Sequence, residues 1–139
     1  VEKTSDIEEF REHIGDNLVV AKIENKMGLD YVARDFMKAP NLCLMAACGD
    51  LYVEIDKPHH IMTALKLIIR RDPEAFAGSR ILLSMLEKPV PKCVDLLQIA
   101  WVYDIGYHRM MLCDEICLKE ELLASAVNVF DAFRGIYTF

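Results

Sequence analysis

Short apolar runs alternate with segments of helical periodicity along the whole chain. The apolar runs lie at residues 18–23, 41–48, 80–83 and 109–113, and each has the length of a β-strand. Their apolar residues are largely continuous, which is typical of strands buried on both faces of a parallel sheet. Helices between successive strands are the connections that such a sheet needs. The sequence therefore predicts an α/β fold with four parallel strands.

Five segments with apolar residues at helical spacing flank these strands. The predicted helices occupy residues 5–15, 29–37, 58–71, 94–102 and 120–133. Ser5 and Glu8 have the spacing of a capping box at the first helix, and Gly15 is placed to end it. No linker or low-complexity tract divides the chain, so we expect one domain over residues 1–139. Four strands do not close a barrel, which needs eight in this architecture.

Composition and charge argue against several classes of protein. The chain is 53% hydrophobic and 27% charged, which predicts a packed core rather than disorder. Its net charge of -6 argues against a general nucleic-acid binder, because phosphate contacts need a basic surface. No apolar run approaches the roughly 20 residues that span a bilayer, and residues 1–6 do not resemble a signal peptide. We expect a cytoplasmic protein with no nucleic-acid or membrane partner.

The cysteines support this compartment. There are 5 of them, an odd number, and none forms a Cys-x-x-Cys pair. Free thiols on apolar segments are typical of a reducing environment. No ligand spacing suited to zinc is present. Cys48, at the end of an apolar run, is interpreted as a small buried side chain rather than a nucleophile.

Charged residues follow two of the predicted strands. Lys22 and Glu24 are two apart, so an extended chain places them on one face. Asp50 follows the next apolar run, directly after Gly49. One ammonium and two carboxylates at neighbouring strand ends predict a site for a divalent metal beside an anionic substrate. The alternatives are a structural ion pair between Lys22 and Glu24 and a turn at Gly49-Asp50.

Five motifs follow one another in the chain. They are the helix at 5–15, Lys-Ile-Glu-Asn at 22–25, Gly-Asp-Leu with Val-Glu-Ile at 49–55, Ser-Met-Leu with Pro-Val-Pro at 84–91, and Met-Leu-Cys-Asp-Glu at 111–115. In this order they resemble the second half of the catalytic (β/α)8 barrel of pyruvate kinase. The resemblance covers nearly the whole chain, and the shared order is hard to explain by chance.

The resemblance implies half of a TIM (β/α)8 barrel. It also implies phosphoryl transfer between phosphoenolpyruvate and ADP, with Mg²⁺ and usually K⁺. By this resemblance Lys22 stabilises charge on the transferring phosphoryl group, and Glu24 and Asp50 bind Mg²⁺. Backbone N–H groups near Gly49 and Asp50 hold the substrate carboxylate. Such roles agree with physical expectation, because phosphoryl transfer depends on positioning and charge neutralisation and Mg²⁺ takes one or two carboxylates with several waters.

The chain also departs from the family pattern. The first four strands, which supply K⁺ ligands and many nucleotide contacts in the family, are absent. Cys48 stands where the family has Arg, and Tyr52 where it has Gly. The family's functional Thr has no direct counterpart, although Ser79 and Ser84 lie near its place in the sequence. These departures favour a chain that is inactive by itself.

Three functions are therefore open. The first is a pyruvate-kinase-like phosphotransferase site that works only when another chain supplies the missing half barrel. The second is a pseudoenzyme, a non-catalytic subunit derived from pyruvate kinase. The third is a magnesium-dependent lyase or aldolase acting on pyruvate or an enolate. The open sheet edges predict either a homo-oligomer or a complementary half-barrel chain as partner, with phosphoenolpyruvate or pyruvate as the small-molecule ligand.

Overall fold

Four parallel strands, separated by helices, form one sheet in a computed structural model that describes residues 1–137. The strands are β1 (Val19–Ile23), β2 (Leu42–Ala47), β3 (Phe76–Gly78) and β4 (Arg109–Met110). They lie in chain order, β1-β2-β3-β4, and every neighbouring pair is parallel. The predicted α/β fold with a parallel sheet is confirmed. Residues 138–139, which belong to the predicted domain, lie outside the described part.

Seven helices and a 3-10 turn precede, connect and follow the strands within residues 1–137. They are α1 (Thr4–Ile14), α2 (Lys26–Arg34), α3 (Cys48–Glu54), α4 (His60–Arg71), the 3-10 turn (Leu83–Leu86), α5 (Cys93–Asp104), α6 (Asp114–Cys117) and α7 (Glu120–Tyr137). All five predicted helices are present, with bounds that differ by a few residues. The short helices α3 and α6 were not predicted, because each is too brief to show a periodic pattern.

The two faces of the sheet have different surroundings. One face contributes its side chains to the main hydrophobic core, which also takes residues from α1, α2 and α4; its sheet members are Val19, Ala21, Ile23, Leu42, Leu44, Ala46 and Ala77. The other face carries Lys22, Met45, Phe76 and Arg109, which lie opposite one another in register. None of these four belongs to either core cluster. Lys22 and Arg109 keep 45% and 43% of their side chains exposed.

A second hydrophobic cluster lies in the C-terminal half of the chain. Its buried members are Ile81, Leu82, Met85, Ile99, Ile116 and Ala126. Aromatic and aliphatic side chains of α7, including Phe130 and Phe133, pack against it. The prediction of a strand at 80–83 is wrong, and this cluster explains why. Ile81 and Leu82 are buried as anchors of a loop, and the third strand lies earlier, at Phe76–Gly78.

The start of α1 also differs from the prediction. The helix begins at Thr4, and the carboxylate of Asp6 accepts hydrogen bonds from the backbone N–H groups of Glu2 and Lys3, at 2.9 and 3.2 Å. The predicted capping box of Ser5 and Glu8 is therefore wrong, because Asp6 satisfies the backbone donors two residues earlier in the chain. The same hydrogen bonds, that from Glu2 first, lower the pKa of Asp6.

A buried carboxylate ties the end of α4 to the middle of β2. Asp72 is fully buried and accepts a hydrogen bond from the N–H of Leu44 at 2.7 Å and from that of Glu74 at 3.0 Å. Lys38 forms an ion pair with it at 2.8 Å. Burial acts to lower the pKa of Lys38, but its bonds to Asp72 and Glu74 raise that pKa overall. Asp72 thus anchors the strand whose carboxyl end leads to Gly49.

Candidate functional site

The residues predicted to form the site lie at the carboxyl ends of β1 and β2. Lys22 is the residue before Ile23, at which β1 ends, and Glu24 directly follows the strand. Asn25 then caps α2, accepting a hydrogen bond from the N–H of Gly28 at 2.8 Å. Glu24 lies directly between the end of β1 and the cap of α2, and these two elements fix the position of its backbone.

Lys22, Glu24 and Asp50 come together. The Nζ atom of Lys22 lies 2.6 Å from Oε2 of Glu24 and 3.1 Å from Oδ2 of Asp50. All three side chains are between 43% and 45% exposed, so the group faces solvent. The hydrogen bond to Glu24, with that to Asp50, raises the pKa of Lys22, although partial burial opposes this. Lys22 is therefore a fixed cation between two carboxylates.

This donor set fits a metal only in combination with a substrate. Glu24 and Asp50 supply hard oxygen ligands of the kind that Mg²⁺ takes, with its other positions left to water and substrate oxygens. Within residues 1–137 there is no group of three His, Cys, Asp or Glu side chains that could hold a metal ion. Both carboxylates also already contact Lys22. Mg²⁺ bound here would thus depend on ligands from outside the chain.

Gly49 and Asp50 are helical. The prediction of a strand through Cys48 is wrong at its end, because β2 stops at Ala47 and Cys48 opens α3. Gly49 and Asp50 consequently lie in the first turn of α3, where backbone N–H groups have no acceptor within the helix. The turn suggested for Gly49-Asp50 is likewise replaced by this helix start.

The space over Gly49 is filled. A Cβ atom at this position would lie 2.7 Å from Cδ of Arg80 and 2.8 Å from Oγ of Ser79. Any larger residue at this position would force the side chains of Arg80 and Ser79 to shift. The sequence did not single out Arg80, because it was assigned to the start of a strand at 80–83 and no motif signals its contact with Gly49.

Ser79 and Ser84 occupy different environments. Ser79 lies beside Gly49 at the carboxyl edge of the sheet. Ser84 belongs to the 3-10 turn, and its hydroxyl donates a hydrogen bond to Asp95 and accepts one from the N–H of Lys92 at 3.0 Å. Of the two serines, Ser79 is the one adjacent to the candidate site, whereas Ser84 links the turn to the start of α5.

Cys48 has the properties expected of a buried structural thiol. Its side chain is 7% exposed, and its Sγ donates to the carbonyl of Ala46 at 3.6 Å. Burial raises the pKa of its thiol to about 11, so little thiolate forms near neutral pH. Tyr52 is 53% exposed and does not line the depression beside Glu24 and Asp50.

The site opens onto a shallow depression of about 390 Å³, lined by Glu24, Asn25, Asp50, Val53 and Glu54. A cavity of about 510 Å³ lies elsewhere, between α2 and α4. The candidate site belongs to the depression because Glu24 and Asp50, the two carboxylates that contact Lys22, line it.

Comparison of the chain with protein-family models and with curated proteins gives no match in either case. Across residues 1–137, no helix combines the length and apolar character needed to cross a membrane.

Proposed function

We propose that the chain is half of a pyruvate-kinase-like (β/α)8 barrel whose strand ends bind a divalent cation and a phosphorylated small acid. Turnover requires the second half of the barrel on another chain, either a copy of this one or a complementary half. The observation that carries the proposal is the position of Lys22 between Glu24 and Asp50, at the ends of adjacent parallel strands.

The sheet supports the half-barrel part of the proposal. Its strands are parallel and lie in sequence order, as successive strands of a (β/α)8 barrel do. One face packs against the helices, and the face with Lys22 and Arg109 stays outside both core clusters. In a closed barrel that second face is the interior. β1 and β4 are open edges, and unpaired edges favour association with further strands.

The side chains supply what binding and positioning of such a substrate require. The ammonium of Lys22 neutralises charge on a phosphoryl group, and active sites lie at this end of the strands in (β/α)8 enzymes. Glu24 and Asp50 would hold Mg²⁺, which would supply charge neutralisation for the phosphate. Gly49 and Asp50 offer backbone N–H groups to the carboxylate of the substrate.

Titration of the chain with phosphoenolpyruvate in the presence of Mg²⁺, followed by NMR chemical shifts, tests this proposal. We expect shifts at the ends of β1 and β2, and a loss of affinity of roughly tenfold or more in Lys22→Ala, because a charge-assisted contact disappears. Lys66→Ala is the matched control, since Lys66 is an exposed lysine on α4. Equal affinity in the two variants would contradict the proposed role of Lys22.

A non-catalytic role for the same half barrel is favoured by one observation. Cys48, where the family has Arg, is buried and largely protonated, so it replaces no charge at the site. For such a pseudoenzyme we expect phosphoenolpyruvate binding without pyruvate formation in a coupled assay, whatever the Mg²⁺ and K⁺ concentrations.

Sedimentation equilibrium decides whether a second copy covers the open edges. A stable monomer would exclude the homo-oligomer and leave a complementary half-barrel chain.

A further inference from the structure

The segment after β3 holds an unusual backbone conformation beside the site. Ser79, Arg80 and Leu82 have φ angles of 65°, 62° and 56°. Left-handed conformations of this kind cost L-residues roughly 1–2 kcal/mol each, and they persist where the surroundings impose them, often at functional sites. Here Ile81 and Leu82 are fully buried in the second cluster. Their burial holds the two preceding polar residues at the edge of the sheet.

This backbone brings Arg80 and Ser79 against Gly49, since a Cβ atom at Gly49 would lie within 2.8 Å of both side chains. Arg80 is exposed, and its guanidinium forms no hydrogen bond or ion pair with any residue in the range 1–137. An arginine in this position keeps its donors available. Guanidinium groups bind carboxylates and phosphates through two parallel hydrogen bonds, which a lysine does not provide.

Arg80 and Lys22 lie on opposite sides of the same strand end. Lys22 is on β1, Arg80 follows β3, and β2 with Gly49 lies between them. Lys22 contacts Asp50, with Nζ 3.1 Å from Oδ2, and Arg80 packs over Gly49. The two cations therefore flank adjacent residues at the start of α3. Two cations placed in this way suit a small molecule with two anionic groups.

We propose that Arg80, assisted by the hydroxyl of Ser79, binds the carboxylate of a phosphorylated small acid whose phosphate is held by Lys22. This inference rests on the proposed function and deepens it, because it makes Arg80 a specificity-determining residue that the resemblance to pyruvate kinase does not supply. The site then selects acids that carry both groups over inorganic phosphate or a simple carboxylate. The strained segment of residues 79–82 fixes the position of the carboxylate subsite.

Chemical-shift titrations of the full chain with phosphoenolpyruvate, pyruvate and inorganic phosphate, each with Mg²⁺, test the inference. We expect Arg80→Gln to lower the affinity for phosphoenolpyruvate and for pyruvate by roughly tenfold or more. The affinity for inorganic phosphate should change by no more than about twofold. Arg80→Lys keeps the charge but not the paired hydrogen bonds, so it falls between Arg80→Gln and the unaltered chain. The control is Arg70→Gln, because Arg70 is also an exposed arginine but lies on α4, away from Gly49. Urea unfolding of each variant verifies that it is folded.

The outcomes separate the two proposals. If the unaltered chain binds phosphoenolpyruvate and Arg80→Gln behaves like Arg70→Gln, the role of Arg80 is overturned and the proposed function stands. If pyruvate binding depends on Arg80 while Lys22→Ala binds phosphoenolpyruvate normally, the carboxylate subsite stands and the role of Lys22 falls. If the unaltered chain binds none of the three anions, both proposals are overturned.

Discussion

Replacement of Asp72 gives the most direct test of how the sheet that carries the site is held together. Its carboxylate is fully buried and accepts the N–H of Leu44, in the middle of β2, at 2.7 Å. It also accepts the N–H of Glu74 at 3.0 Å and contacts Nζ of Lys38 at 2.8 Å. No water can replace it at Leu44 without entering the core. Asp72→Ala therefore leaves a buried donor unpaired.

The expected cost follows from these contacts. An unpaired buried N–H group costs about 1–3 kcal/mol. Loss of the ion pair adds only about 1 kcal/mol, since the Lys38 side chain is 33% exposed and keeps Glu74 at 3.0 Å. We expect Asp72→Ala to lower the free energy of unfolding by about 2–4 kcal/mol, a large part of the roughly 5–15 kcal/mol typical of a domain. Asp72→Asn keeps an oxygen for Leu44 and should lose about 1 kcal/mol.

Urea unfolding followed by circular dichroism measures these changes, with Glu74→Ala as a control that removes an exposed partner of Lys38. We expect a lower midpoint for Asp72→Ala at an unchanged dependence on urea concentration, which indicates lost stability rather than a changed unfolded state. If Asp72→Ala unfolds within about 0.5 kcal/mol of the unaltered chain, the argument from the buried carboxylate is refuted.

Two further predictions concern ionisation. Cys93 and Cys117 are exposed, whereas Cys48 is buried and burial raises its pKa to about 11. Brief alkylation at pH 8 followed by mass spectrometry should therefore label Cys93 and Cys117 and spare Cys48. Early labelling of Cys48 would contradict its burial. The pKa of Asp6 is lowered by its hydrogen bonds to the backbone of Glu2 and Lys3, so its contribution to stability is present above its ordinary value of 3.8 and is lost as pH falls through the lowered pKa. Asp6→Asn should then lower the urea midpoint at pH 7 and change it less at pH 2.5, and an equal loss at both pH values would refute this role.

The order of strands and helices followed from the sequence because apolar runs and helical periodicity are local signals. Residues 18–23 and 41–48 correspond to β1 and β2, and the helices between strands follow the predicted α/β pattern. Prediction of the third strand failed for a physical reason. Phe76-Ala77-Gly78 has little β-propensity of its own and becomes a strand by pairing with its neighbours, while Ile81 and Leu82 are apolar because they anchor a loop.

The sequence by itself determined which charged residues end β1 and follow β2, because the alternation of side chains along a strand and the order of apolar runs place Lys22, Glu24 and Asp50. Only the tertiary structure decided that Gly49 begins a helix and that Arg80 lies against it. That contact joins residues 31 positions apart through a left-handed backbone, and the buried side chains that impose it come from distant parts of the chain. Local sequence patterns carry no record of such a contact, since it arises from how the second cluster packs.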